Sequence, residues 1–123
     1  MYREVTQDVQ IDVRPEYMPD RSNAERNQYF FAYHVRVTNL SEAPAQLVSR
    51  HWTITDGNGE VHEVDGPGVV GETPWIKPGE TFEYASFCPL PTPTGNMRGS
   101  YRMAREDGSI FDAKIPLFFL RCN

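Results

Sequence analysis

The stretch QYFFAYHVRVTN, from Gln28 to Asn39, repeats with a period of two. Tyr29, Phe31, Tyr33, Val35 and Val37 share one face, while Ala32, His34, Arg36 and Thr38 share the other. Successive side chains of an extended chain point to opposite sides, so this pattern buries one face of a strand and wets the other. The same period recurs along the chain. Val5, Val9, Ile11 and Val13 hold the odd positions of VTQDVQIDV, which reads as one half-buried strand. Val48, Arg50, Trp52 and Ile54 share a face of QLVSRHWTITD, and Phe82, Tyr84 and Ser86 share one in TFEYASFC. No segment sustains the 3.6-residue period of an amphipathic helix.

Turn chemistry separates these runs. Asp56-Gly57-Asn58-Gly59 and Asp107-Gly108 supply residues that tolerate positive φ and read as hairpin turns. KPGE (77–80) is a Pro-Gly turn. Residues 14–27 are polar and broken by Pro15 and Pro19, so they read as a loop, and PLPTPTGN (89–96) reads as extended and stiff. About seven short strands with turns every 8 to 12 residues predict an all-β chain. The expected architecture is an immunoglobulin- or fibronectin type III-like β-sandwich of seven or more antiparallel strands, with Trp52 in its core. A length of 123 residues fits a single domain over 1–123.

Charge and cysteine usage narrow the function classes. The net charge of −5 repels a phosphate backbone at long range, so nucleic acid is not an expected partner. Cys88 and Cys122 lack C-x-x-C spacing, which predicts neither a zinc site nor a redox motif. The N-terminal MYREVTQDVQ has no apolar run, and no stretch reaches the roughly 18 apolar residues of a membrane span. The expectation is a cytoplasmic chain with reduced thiols, no membrane association, and no bound cofactor or metal.

DGPGVVGETPW (65–75) spells G-x-G-x-x-G at Gly66, Gly68 and Gly71. A dinucleotide loop of that spelling needs a helix after it, whose N-terminal amides meet the pyrophosphate. Pro74 and Pro78 deny that helix. Two readings remain. The loop is a sharp turn that needs small residues or positive φ. Alternatively, its amides form a nest for a phosphate-containing small molecule, with Arg50, Lys77 and protonated His51 or His62 as the compensating cations. Strand parity puts Arg50 on the side of Trp52 and His51 on the other. DGNGE begins like a calcium loop at Asp56, Asn58 and Glu60, but Val61 and Pro67 stand where the sixth-position Gly and twelfth-position Glu belong. His62, Glu63 and Asp65 are a weak alternative cation cluster. No nucleophile elbow or H-E-x-x-H motif is present, and no catalytic residue is assigned.

LVSRHWTITDGNG, VDGPGVVGETP, KPGETFEYASFCPLPTPTGNMRGSY and DGSIFDAKIPLFFL, in that order, resemble the ApaG family over essentially the whole chain. Phe87 departs from the small residue that members often carry before the cysteine. The resemblance implies a fibronectin type III-like sandwich. It also implies a link to cobalt resistance and magnesium efflux, the source of the alternative name CorD. Related domains appended to F-box proteins and to a polymerase-interacting protein imply a protein-binding module. The family's glycine motif, here Gly66, Gly68 and Gly71, is implied as a candidate phosphate or pyrophosphate site. The resulting expectation is a non-catalytic binding protein with a protein partner, present as a monomer or a homodimer paired through sheet edges.

Overall fold

A computed structural model describes residues 1–122. Among the described residues nine strands run in chain order. They are β1 (Tyr2–Thr6), β2 (Val9–Tyr17), β3 (Tyr29–Asn39), β4 (Ala45–Asp56), β5 (Val61–Pro67), β6 (Trp75–Ile76), β7 (Thr81–Leu90), β8 (Thr94–Arg105) and β9 (Ile110–Arg121). One sheet has the order β1-β2-β3-β7 and the other β5-β4-β8-β9, with β6 pairing β4. All pairings are antiparallel. The two sheets face each other as the expected β-sandwich.

The core lies between the sheets because alternate residues of each strand turn inward. Ile11, Val13, Phe31, Val35 and Val37 come from one sheet; Leu47, Trp52, Tyr101, Ile115 and Phe118 come from the other. Trp52 is the hub. Its ring meets Tyr33 at 5.2 Å, Phe118 at 5.9 Å and Tyr101 at 6.3 Å between centroids, edge to face in each case, the arrangement aromatic quadrupoles favour.

The first alternating run is two strands, not one. Gln7 and Asp8 both have positive φ, at 45° and 63°, as a two-residue hairpin turn requires. Thr6 therefore pairs Val9, and Val5 pairs Gln10 and faces solvent. Residues 14–27 also differ from the loop expected. β2 continues to Tyr17, and two short 3-10 turns follow at Pro19–Arg21 and Ala24–Arg26. Pro15 is tolerated in β2 because β1 ends opposite Val13, so the strand is an edge beyond that point. Pro116 sits in β9 where pairing with β8 shifts register between Met97 and Gly99, another position that a strand allows to proline.

β4 carries the irregularity that matters most. Its pairing with β8 slips between Leu47 and Ser49, leaving Val48 as an extra residue. The bulge inverts strand parity. Ala45 and Leu47 are buried from odd positions, and Trp52 and Asp56 from even ones. A single face running from Val48 through Ile54 was the sequence expectation; Val48 instead marks the switch.

Candidate functional site

The pairing of β4 with β5 places Arg50 against the glycine loop. Arg50 pairs Gly66 across β4 and β5. Its guanidinium lies over that glycine so closely that a Cβ there would be 2.8 Å from Nη1. Arg50 Nη1 donates to the carbonyl oxygens of Pro67 and Gly68, both at 3.0 Å. The Gly68 amide donates to the carbonyl of the bulged Val48 at 2.8 Å. Val69 and Glu72 exchange both backbone hydrogen bonds, at 2.8 and 2.9 Å, around Val70 and Gly71. Those two residues have positive φ of 44° and 80°, so residues 69–72 form a miniature hairpin turn. Val69, 1 % exposed, pins the loop to the core. The amides of Gly68, Val69 and Glu72 thus have backbone partners, and Arg50 faces carbonyls. Lys77 belongs to a separate turn, where its amide donates to Glu80 Oε1.

His51 points to the opposite face of β4, as its parity requires. Its Nδ1 lies 2.6 Å from Asp65 Oδ1, and its Nε2 lies 3.5 Å from Glu63 Oε1. The hydrogen bond to Asp65 raises the imidazole above its ordinary pKa, because a carboxylate partner favours the charged ring. A shallow polar cleft of about 340 Å³ runs beside it, its lining including Arg50, His51, Asp65, Ser100, Arg102 and Asp112. The five candidate residues therefore divide. Gly66, Gly68, Gly71 and Arg50 meet in one loop, and His51 serves the other side of the sheet. His62, Glu63 and Asp65 also divide by parity, since Glu63 and Asp65 lie toward His51 while His62 faces the other way.

A second feature lies on the other sheet. Phe87 is 49 % exposed and its ring is 5.4 Å from that of Phe30. Arg21, from the first 3-10 turn, stacks its guanidinium 5.6 Å from the Phe30 centroid and 5.3 Å from the Phe87 centroid. An adjoining groove of about 370 Å³ is lined by Arg21, Tyr29, Phe30, Pro89, Leu90 and Pro91. The stiff prolines of PLPTPTGN form one wall. Phe30 and Arg21 escaped the sequence reading because Phe30 is on the outward side of β3 and Arg21 lies in the polar segment read as a loop. The out-of-phase Phe30 and Phe87 were the available signal.

The ApaG domain family model matches residues 19–105. The chain belongs to the ApaG family. Protein ApaG from Methylocella silvestris is 58 % identical over 120 residues, covering 98 % of this chain and 92 % of that one. Protein ApaG from Anaeromyxobacter dehalogenans is 57 % identical over 114 residues, covering 93 % and 90 %. The crystal structure of the ApaA protein from Bordetella pertussis superposes with a TM-score of 0.91 at 53 % identity, covering 93 % of each chain. The C-terminal domain of Wzt superposes at a TM-score of 0.57 with 14 % identity, over 98 % of this chain and 76 % of that one, and shares the sandwich fold alone. Among the described residues no helix of this ApaG chain is long and apolar enough to cross a membrane.

Proposed function

We propose that this ApaG chain is a non-catalytic binding module that engages a protein partner in the context of cobalt and magnesium homeostasis. Its working surface is the outer edge of β7 with the groove beside it. The observation that carries this reading is the exposed Phe30–Phe87 pair capped by Arg21. Aromatic residues and arginine are the types enriched as interface anchors. Among the described residues β7 pairs only β3, so its outer edge offers backbone donors and acceptors to an extended segment. Phe87 and Pro89 lie next to that edge, where they can select the segment's side chains.

A photoreactive aromatic residue at position 87, introduced in the native cell, tests this. A discrete protein adduct is expected, one lost on Arg21→Ala with Phe30→Ala and absent with the same probe at Asn58. Equal labelling from both positions, or none from position 87, would remove the reading.

A further inference from the structure

We propose that Asp56, Glu60 and His62 form a binding site for a divalent cation of the zinc class at the tip of the β4–β5 hairpin. Pairing sets the geometry. Ile54 faces His62 and Thr55 faces Val61. The next pair outward is Asp56 with Glu60, whose backbones meet through the Asp56 amide and the Glu60 carbonyl at 3.0 Å. Period two then puts Asp56, Glu60 and His62 on one face of the hairpin. Their ligand-capable atoms lie within 4.8 Å of one another. A cation held at about 2.0–2.2 Å draws its ligands to within about 4.4 Å of each other. Small rotations of the exposed Glu60 and His62 side chains suffice.

The second observation is Asp56 itself, 4 % exposed. Its Oδ1 accepts the amides of Asn58 at 2.8 Å and Glu60 at 3.1 Å, which is all the turn requires. Its Oδ2 is buried and makes no hydrogen bond among the described residues. Buried carboxylate oxygens are normally matched by a donor or a cation. A metal ion held with Glu60 and His62 supplies that match. One imidazole nitrogen with two carboxylates suits zinc or a neighbouring first-row ion better than calcium or magnesium, which take oxygen ligands throughout. Water completes the coordination on the exposed side.

Calorimetric titration of the full chain with zinc chloride tests the site. One equivalent is expected to bind saturably. Glu60→Gln and His62→Ala are each expected to weaken binding at least tenfold, as is Asp56→Asn. Glu60 and His62 are exposed, so these two variants are expected to melt as the parent does without metal. Zinc is expected to raise the Tm of the parent and not of His62→Ala. Manganese added to labelled protein is expected to broaden amides of residues 54–63 first. The proposal is overturned if no saturable uptake occurs, or if uptake is unchanged in both Glu60→Gln and His62→Ala, which would place the ion elsewhere.

Discussion

Gly68 has φ +56°, and a Cβ built on it would lie 2.0 Å from the Glu72 carbonyl oxygen. That oxygen is held in place by the Val69 amide, so it cannot yield without opening the small turn. Gly68→Ala is therefore expected to destabilise the fold by about 3 kcal/mol, combining left-handed strain with the clash. Gly71 has φ +80° but nothing within 4 Å of an added Cβ. Asparagine tolerates that conformation, so Gly71→Asn is expected to change stability by less than about 1 kcal/mol. Urea unfolding of the two variants measures the difference. Comparable losses in both would show that the loop does not hold the Val69–Glu72 pairing in solution. The three glycines look equivalent in the sequence. They differ because one underlies a guanidinium, one abuts a carbonyl and one closes a turn, and each neighbour arrives from a distant or reversed stretch of chain.

Single strands were easier to read than their joins. β3 kept the alternation expected of it, and β4 turned Arg50 inward and His51 outward. Two irregularities were hidden. Gln7-Asp8 is not one of the residue pairs that announce a tight hairpin, and Val5 keeps odd spacing with Val9 although a two-residue turn inverts the faces. The Val48 bulge is equally silent, since inserting one residue leaves a strand-like composition unchanged. The unbroken β4–β5 register, by contrast, brings Arg50 to the glycine loop and His51 to Asp65 and Glu63. His51 has its folded pKa raised above the usual 6.5, first by the hydrogen bond to Asp65. In the window between those two values the folded chain binds more protons than the unfolded one, so stability falls as pH rises. The pair's contribution is complete below about pH 6.5 and is lost as pH passes the folded value. With 39 % of the His51 side chain exposed, the effect stays below about 1 kcal/mol. Urea midpoints between about pH 6 and 8 are expected to fall more steeply in the parent than in His51→Gln. Identical slopes would mean that the ion pair does not persist in solution.

The two sheets are joined by more than apolar packing. Tyr84 of β7 and Tyr101 of β8 share a hydroxyl–hydroxyl hydrogen bond across the sandwich, and Tyr33 packs against Trp52 nearby. Burial is the first cause that holds all three phenols above their ordinary pKa; the same cause pushes the Cys88 thiol up to about 11. These groups stay neutral in the folded chain while their unfolded counterparts ionise. Above about pH 9 for the thiol and about pH 10 for the phenols, the unfolded state therefore holds fewer protons, and stability falls as pH rises. Each phenol kept neutral contributes a slope of up to about 1.4 kcal/mol per pH unit. The contributions all act in the same direction, so cooperative alkaline unfolding of the whole sandwich is expected. Tyr101→Phe alone strands the Tyr84 hydroxyl and is expected to cost about 1–2 kcal/mol at neutral pH. Replacing both tyrosines by phenylalanine removes the stranded group, so the double variant is expected to be closer to the parent at pH 7. Its stability should then decline less steeply than the parent's above about pH 10, because only Tyr33 of the three phenols remains. Urea midpoints at closely spaced alkaline pH, followed by circular dichroism, measure this. A double variant as alkali-sensitive as the parent would place the titrating groups outside the inter-sheet contact.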